Sequence, residues 1–223
     1  FMPRLLDLGY LRFVTCVQLA SCPAAALMLG RCLRGAPAAY DRALNRRPLL
    51  VKMVTSGAIV SGSDITVQAF AGGKYDPVRS GIVGIGYGGL FLAPVMHCLT
   101  LTWARLLPST SILSVGFKAI VDCNTSMPLN LSAMIGFQVL ARKQELSYDV
   151  IASDVPQAVS EKLWPSLLAG WMVWLPVIVV NYKFVPLPYR VLFLNCVSFV
   201  WNIFMIWRFT DVSPSGELLP KGE

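Results

Sequence analysis

The sequence predicts an all-α membrane protein: a bundle of four to five transmembrane helices with an N-terminal apolar helix and one amphipathic helix outside the membrane. Of the 223 residues, 55% are apolar and only 14% are charged, whereas soluble domains carry about a quarter charged residues. The few charges are also segregated, because 80–138 contains only Arg105, Lys118 and Asp122. A spanning helix needs about 20 mostly apolar residues, so stretches of this kind are candidate spans.

The first 39 residues are predicted to form a basic and apolar extension. An apolar run at 13–30 is barely long enough to span, so it is either an additional spanning helix or an interfacial one. Seven arginines precede Leu49, against two aspartates. Such a segment resembles a mitochondrial targeting region, and it also fits a solvated basic flank near anionic lipid head groups. Both interpretations stay open.

A transmembrane domain is predicted for residues 40–208. Between its third and fourth spans, 141–162 gathers acidic residues along a polar, helix-like segment that we place outside the membrane. The residues 209–223 form a polar tail, which we predict to be loose. The predicted spans cover 49–71, 81–107, 112–140, 163–180 and 191–207.

The stretch GIGYGG, residues 84–89, fits two functional motifs and one structural motif. A dinucleotide-binding G-x-G-x-x-G loop follows a strand and has an acid about 20 residues later, whereas the next acid here is Asp122. A potassium filter needs a threonine before the G-Y-G core, which this sequence lacks. Gly84 and Gly88 also form G-x-x-x-G, a pattern that lets membrane helices approach closely. We therefore predict that these two glycines form a helix-packing face.

Polar side chains recur at helical spacing inside the predicted spans. Lys118 and Asp122 stand four residues apart, which suits an intrahelical ion pair. Because polar groups at membrane depth are costly, each needs a partner or a function. They either line a water-filled pathway or satisfy one another in a dry bundle, and both interpretations stay open. The candidate pore-lining or buried polar residues are Asp64, Gln68, His97, Lys118 and Asp122.

The residue inventory argues against an enzyme. The chain has one histidine, and its six cysteines show no C-x-x-C spacing, so a zinc site is not expected. There is no carboxylate pair at useful spacing and no serine elbow motif. We therefore expect no catalytic residue, no metal, no cofactor and no nucleic-acid partner.

Several short motifs follow one another in a fixed order between Tyr40 and Trp207. They comprise T-x-G…D-x3-Q at Thr55, Gly57, Asp64 and Gln68; P-x-x-H at Pro94 and His97; K-x3-D at Lys118 and Asp122; and W-x-x-W…N…V-P-x3-R at Trp171, Trp174, Asn181, Pro186 and Arg190, followed by Trp201. Together they resemble the Mpv17 / peroxisomal membrane protein family of small integral membrane proteins. Departures from the family pattern include serines at 61 and 63, where glycines are usual.

The resemblance implies a four-helix membrane core in a mitochondrial inner membrane or a peroxisomal membrane, of which we favour the mitochondrial one. It also implies a weakly selective channel for small solutes. Asp64, Lys118 and Asp122 would then line and gate the pathway, with His97 as a pH-sensitive element, and the other signature residues would be structural. The alternative is a non-catalytic accessory subunit of a large inner-membrane complex, of respiratory or ATP synthase type. The expected partners are the lipid bilayer and either other subunits or a second copy of the chain.

Overall fold

The computed structural model of the chain describes residues 38–71, 74–145, 147–212 and 218–220. The apolar run predicted at 13–30 lies outside these described residues. A 3-10 turn, Leu187–Tyr189, separates the last two helices. The helices within the described residues are α1 Ala38–Arg46, α2 Pro48–Ala71, α3 Pro77–Leu106, α4 Ile112–Asn124, α5 Ser126–Lys143, α6 Val150–Phe184 and α7 Arg190–Phe209.

Three helices in the described part of the chain are long and apolar enough to cross a membrane by length and composition. They are Pro77–Leu106, Val150–Phe184 and Leu187–Phe204. The all-α membrane class is therefore confirmed, whereas the count of four to five spans stays a prediction. The span predicted at 49–71 is the 24-residue helix α2; it is not among the three, since polar residues along it lower its hydropathy.

Helices α2 and α3 cross at closely packed glycines. A Cβ added at Gly88 would lie 2.9 Å from the Cβ of Val60 and 3.0 Å from the carbonyl oxygen of Ser56. A Cβ at Gly84 would overlap the Ser61 side chain and lie 3.0 Å from the carbonyl oxygen of Gly57. Only glycine therefore fits at 84 and 88 with the two backbones at this separation.

Helix α3 changes its winding where these glycines lie. Its middle, Ile82–Leu92, is π-helical, between the α-helical segments Pro77–Gly81 and Ala93–Leu106. Pro94 stands in the first turn of the second α-helical segment, where a missing N–H is tolerated. The wider turns end just before this proline.

Helix α7 runs alongside α2 in the same direction. Asn195 donates from its side-chain amide to the Ser56 hydroxyl at 2.5 Å, and Asn202 donates to the Ser63 hydroxyl at 3.4 Å. Each partner is seven residues further along its own helix, so both bonds lie on one face of each helix. All four of these residues are buried.

The region predicted as one span at 112–140 forms two helices, which corrects that prediction. Helix α4 ends at Asn124, Thr125 lies between the helices, and α5 begins at Ser126. Pro128 explains the break, because it has no N–H to donate to the carbonyl of Asn124 in a continuous α-helix.

Helix α6 is longer than the sequence analysis predicted. The polar segment 141–162 is not a separate amphipathic helix: its first residues end α5, and 150–162 begin α6, which continues to Phe184. With 35 residues at about 1.5 Å each, α6 exceeds a hydrocarbon core of about 30 Å. Lys143 and Asp154 form an ion pair at 3.0 Å between the end of α5 and the start of α6.

Part of the C-terminal tail is also more ordered than predicted. Residues Thr210–Val212 form a short strand, β1, which pairs antiparallel with β2, Leu218–Pro220. The prediction of a loose tail is therefore wrong for these two segments.

Two apolar clusters hold the described helices together. One contains Tyr87 and Trp103 of α3, Val115 of α4 and Leu131 of α5. The other joins α6 to α7 through Val173, Val177 and residues of α7 that include Trp201. A cavity with both apolar and polar lining residues lies between helices of these clusters.

Candidate functional site

A cavity of about 90 Å³ lies inside the bundle, between α3, α4, α5, α6 and α7. A water molecule needs roughly 10–15 Å³ of such space together with two to four polar partners, so several waters fit. Its apolar wall includes Leu92, Met127 and Trp174. The lining residues that carry hydroxyl, amide or carboxyl groups are Tyr87, Thr100, Asp122, Ser126, Asn130, Asn181, Tyr182, Asn195, Ser198 and Asn202.

Asp122 joins three helices at the wall of this cavity. Its Oδ1 accepts the indole N–H of Trp103 at 2.6 Å, and its Oδ2 accepts the hydroxyl of Tyr182 at 2.6 Å. Trp103 belongs to α3, Asp122 to α4 and Tyr182 to α6. Hydrogen bonds to a carboxylate are stronger than neutral ones, so this Trp103–Asp122–Tyr182 bridge holds the helices in register beside the cavity.

Two carboxamide oxygens in the lining have no hydrogen-bond partner among the described residues: Oδ1 of Asn130 and Oδ1 of Asn181. Asn130 donates from its Nδ2 to the Ser126 carbonyl oxygen at 2.7 Å, which fixes the orientation of its amide group. Asn181 is only 1% exposed. A buried polar atom without a partner costs free energy, so both oxygens lower the stability of this part of the bundle.

Lys118 does not pair with Asp122, which corrects the predicted intrahelical ion pair. Its ammonium donates to the Ser109 carbonyl oxygen at 2.9 Å and lies 5.6 Å from the ring centroid of Tyr182. The Arg190 guanidinium contacts the same ring at 5.2 Å. Both cations are therefore held by the Tyr182 ring and backbone carbonyls, while the carboxylate of Asp122 is occupied by neutral donors.

Asp64 and Gln68 lie in a second polar cluster, away from the cavity. The Asp64 carboxylate accepts the Nε–H of Arg79 at 3.0 Å, the Ser80 hydroxyl at 2.7 Å and the Gln68 amide at 2.7 Å. Asp64, Gln68 and Ser80 are all buried. The cluster therefore links the C-terminal part of α2 to the start of α3 in a packed interior.

The same cluster fixes the turn between α2 and α3. Gln68 accepts the backbone N–H of Asp76 at 2.7 Å, and Asp76 caps α3 by accepting the N–H groups of Val78 and Arg79. Gln144, at the end of α5, donates to the Asp76 carboxylate. Such caps satisfy donors at a helix start that have no intrahelical acceptor. These hydrogen bonds indicate that the Asp64 cluster is a structural contact between α2, the start of α3 and the end of α5, rather than part of a pathway.

His97 lies outside the lining of the cavity, beside a buried lysine. Its Nδ1 is 3.0 Å from Nζ of Lys52 on α2. An ammonium group can only donate, so this geometry places an unprotonated Nδ1 opposite Lys52. The cavity lining therefore includes Asp122, but not the other four predicted polar residues, Asp64, Gln68, His97 and Lys118.

Four of the signature residues make backbone contacts or close helix contacts. Thr55 donates to the Val51 carbonyl oxygen at 2.7 Å, within α2. Gly57 lies against α3, where an added Cβ would be 3.3 Å from the carbonyl oxygen of Gly84. Arg190 donates to the carbonyl oxygens of Val185 at 3.2 Å and Tyr182 at 3.3 Å. Pro186 precedes the 3-10 turn that leads into α7.

The signature tryptophans connect α6 to its neighbours. Trp171 donates from its indole N–H to the Cys123 carbonyl oxygen at 3.1 Å. Trp174 packs edge-on against Trp201 of α7, with ring centroids 6.3 Å apart. Two residues of the W-x-x-W…N…R motif line the cavity, Trp174 and Asn181. Of these, Asn181 is buried and its Oδ1 has no hydrogen-bond partner among the described residues.

The sequence analysis missed several residues that complete these sites: Trp103, Tyr182, Asn130, Ser80 and Lys52. Tyr182 directly follows Asn181 in the signature, which was the available signal for its position. The other four required knowledge of which helices are neighbours. Within the residues that the structure describes, no group of three or more His, Cys, Asp or Glu could hold a metal ion.

The fold and the cavity define a polytopic helical membrane protein with a buried polar interior. The family model described as the Mpv17 / PMP22 family matches residues 151–205. The protein SYM1 of Gibberella zeae is 30% identical over 174 residues, which is 75% of this chain and 94% of that protein. The chain belongs to the Mpv17 / PMP22 family.

Further relatives carry peroxisomal names. Peroxisomal membrane protein 2 of Bos taurus is 28% identical over 188 residues, which cover 79% of this chain and 91% of that protein. Peroxisomal membrane protein PMP22 of Arabidopsis thaliana is 27% identical over 172 residues, which cover 76% and 87%. The SYM1 relatives support the predicted mitochondrial inner membrane, and these two support its peroxisomal alternative. No solved structure matches the chain at a significant level.

Proposed function

We propose that the chain is a non-catalytic protein of the mitochondrial inner membrane that lets small polar solutes pass through its bundle as a weakly selective channel. The observation that carries the proposal is the cavity, which collects Asp122 and four asparagines in a largely apolar bundle. Polar residues at membrane depth are costly and mark solute pathways. The SYM1 relatives support the location.

The pathway needs a bundle that surrounds the cavity across the membrane. Helix α2 has 24 residues, about 36 Å at about 1.5 Å each, which exceeds a hydrocarbon core of about 30 Å. We infer that α2 and the α4–α5 pair cross together with α3, α6 and α7. This arrangement has five crossings, with the cavity enclosed by all of them except α2.

The Trp103–Asp122–Tyr182 bridge is the proposed barrier of the pathway. It joins α3, α4 and α6 beside the cavity through two bonds of 2.6 Å. A solute larger than water passes only when these helices separate. Asp122 thus keeps the lining and gating role that the family resemblance implied, whereas Asp64 and Lys118 support the surrounding structure.

Solute release from proteoliposomes tests the channel. Ser198 lines the cavity, and a Ser198→Phe variant would fill part of it. Val200 is on the same helix but is 46% exposed on the outer surface, so Val200→Phe adds the same ring in a position where it leaves the cavity open. We expect wild type and Val200→Phe to release a small neutral solute faster than protein-free vesicles, and Ser198→Phe to release it several-fold more slowly than wild type. Equal release from wild-type and protein-free vesicles would refute the channel.

The alternative is a non-catalytic accessory subunit of a large inner-membrane complex. The Asp64 cluster favours it, because this buried carboxylate is satisfied by Arg79, Ser80 and Gln68 with no solute required. Native gel electrophoresis of gently solubilised membranes, with mass spectrometry of the migrating species, distinguishes the two functions. Stoichiometric co-migration with a respiratory or ATP synthase complex supports the subunit, whereas migration alone or as a homo-oligomer supports the channel.

A further inference from the structure

We propose that a groove between α4 and α6 binds one molecule of an anionic phospholipid. One acyl chain of the lipid lies along the groove, and its head group lies at Lys183. The groove is on the outer surface of the bundle and shares no lining residue with the cavity. The inference therefore holds whether the chain is a channel or an accessory subunit.

The groove is open and largely apolar, with a volume of about 630 Å³. Part of its wall comes from Ile112 at the start of α4, which is 67% exposed. The opposite wall includes one stripe of α6, at positions i, i+3, i+4, i+7 and i+11 of the helix: Met172, Leu175, Pro176, Val179 and Lys183. In a bilayer, exposed apolar side chains along a spanning helix meet the acyl chains of lipids.

The stripe on α6 has the length of one leaflet. Met172 and Lys183 are 11 residues apart, about 17 Å at about 1.5 Å each. Half of a hydrocarbon core of about 30 Å is about 15 Å. Lys183 stands one residue before the end of α6 at Phe184, so it lies at the level where head groups begin. An acyl chain that starts at Lys183 therefore runs along the apolar stripe within a single leaflet.

Lys183 is positioned to contact a phosphate group. Its side chain is exposed, and its Nζ donates to the carbonyl oxygen of Thr110, just before α4, at 2.7 Å. This bond holds the ammonium group at the mouth of the groove, between α4 and α6. An ammonium group has three donors, so the bond to Thr110 leaves two for the oxygens of a head group.

The end of the bundle that carries Lys183 has a positive surface. It consists of α1, the first turns of α2, α4 and α7, and the last turns of α3 and α6, and a hydrogen bond from Tyr189 to Asp41 joins α1 to the turn before α7. Asp41 and Asp122, the described carboxylates nearest to this end, are not exposed, and each accepts a tyrosine hydroxyl. As far as the structure describes them, its exposed charged residues are all cations: Arg42, Arg46, Arg47, Arg105 and Lys183.

The opposite end of the bundle has no such excess. Among the described residues, its exposed cations and exposed acids are equal in number: Lys74, Arg142 and Lys143 against Glu145, Asp149 and Glu161. Basic clusters beside membrane segments attract anionic lipids. The choline group of a zwitterionic lipid is a cation, which the same cluster repels. The charge around Lys183 therefore favours an anionic head group over a zwitterionic one.

Native mass spectrometry of the whole chain in a mild detergent tests the site. The probes are phosphatidylglycerol and phosphatidylcholine with the same palmitoyl and oleoyl chains. We expect each wild-type chain to retain one phosphatidylglycerol and to bind phosphatidylcholine more weakly. Lys183→Gln should lower the affinity for phosphatidylglycerol about fivefold, the effect of one cation near anionic lipid, and change that for phosphatidylcholine little. Lys183→Arg keeps the charge and should keep the wild-type affinity, which separates a lost charge from a disturbed structure.

A second variant tests the groove itself. Leu175 is 40% exposed and lines the groove, so Leu175→Trp fills part of it and should weaken the binding of both lipids. Leu129→Trp is the control, because Leu129 is 52% exposed on α5 and lies outside the groove. Lys74→Gln removes an exposed lysine at the opposite end and is the control for Lys183→Gln. We expect both control variants to bind phosphatidylglycerol like wild type.

Several results would overturn the site. They are equal affinity of the wild type for the two lipids, unchanged phosphatidylglycerol binding in both Lys183→Gln and Leu175→Trp, and a loss in Lys74→Gln as large as that in Lys183→Gln. A dimer that Leu175→Trp dissociates, with lipid binding unchanged, would instead make the groove an interface between two copies of the chain. Solute release is not measured in this experiment, so its failure leaves the proposed channel untouched.

Discussion

The carboxylate of Asp64 on α2 accepts the Nε–H of Arg79 on α3 at 3.0 Å, with side chains that are 3% and 18% exposed. Among the described residues the second ion pair, Lys143–Asp154, has the same length, but its side chains are 55% and 35% exposed. The two pairs thus differ in burial rather than in geometry. This difference makes them a matched test of what the Asp64 cluster does.

We expect Asp64→Ala to destabilise the protein by about 3 kcal/mol, because it leaves a half-buried guanidinium without its carboxylate. The Ser80 hydroxyl and one Gln68 N–H lose the same acceptor. Asp154→Ala should cost about 0–1 kcal/mol, since exposed pairs contribute little. Thermal unfolding of both variants in one detergent measures the difference. Equal losses of stability in the two variants would show that the Asp64 cluster does not stabilise the contact between α2 and α3.

The glycine crossing predicts opposite outcomes for chemically identical substitutions on α3. Gly88→Ala places a methyl group 2.9 Å from the Val60 Cβ and 3.0 Å from the Ser56 carbonyl oxygen, so α2 and α3 must separate, at a cost of about 1–3 kcal/mol. Gly81→Ala meets nothing within 4 Å and should be neutral or stabilise by up to about 1 kcal/mol, because alanine favours a helix. Unfolding free energies of both variants test the contact. A Gly88→Ala protein as stable as Gly81→Ala would contradict it.

The Asn195–Ser56 bond between α7 and α2 can be measured by a double-mutant cycle. Both residues are buried and their polar atoms lie 2.5 Å apart. Interhelical hydrogen bonds in membranes contribute about 0.6 kcal/mol on average and at most about 1.7 kcal/mol. We expect the coupling energy between Asn195→Ala and Ser56→Ala to lie between about 0.6 and 1.7 kcal/mol. The pair Asn195→Ala and Ser63→Ala, about two helical turns away from that bond, is the control and should show weaker coupling.

The membrane class could be predicted from the sequence because hydropathy along one chain is enough to detect a span. The close contact at Gly84 and Gly88 also followed a local pattern, small residues four apart. The break at Thr125 was missed, although Pro128 and the polar residues 124–126 were visible, because apolar residues predominate on both sides of them. Likewise, the polar start of α6 was separated from its apolar part, since composition changes near residue 163 while the helix does not.

The site was harder to predict, because it depends on which helices are neighbours. The spacing of Lys118 and Asp122 favoured a pair within α4, but the carboxylate is bound by Trp103 and Tyr182 of other helices. Asp64 and Gln68 were correctly predicted to be buried polar residues, yet their contacts are with the start of α3 rather than with the cavity. Periodicity identifies the face of a helix, and it contains no information about what that face contacts.

The Trp103–Asp122–Tyr182 bridge gives the prediction that best separates a barrier from a passive contact. Tyr182→Phe removes the hydroxyl that donates to Asp122 Oδ2 and leaves a buried carboxylate oxygen unpaired, at a cost of about 1–3 kcal/mol. If the bridge is the barrier, this loss makes separation of α4 and α6 easier, so release of a small neutral solute from proteoliposomes should rise while the melting temperature falls. Tyr148→Phe removes a hydroxyl from a side chain that is 82% exposed, and neither quantity should change. A Tyr182→Phe protein with a lower melting temperature but unchanged release would leave the bridge structural and place the barrier elsewhere along the pathway.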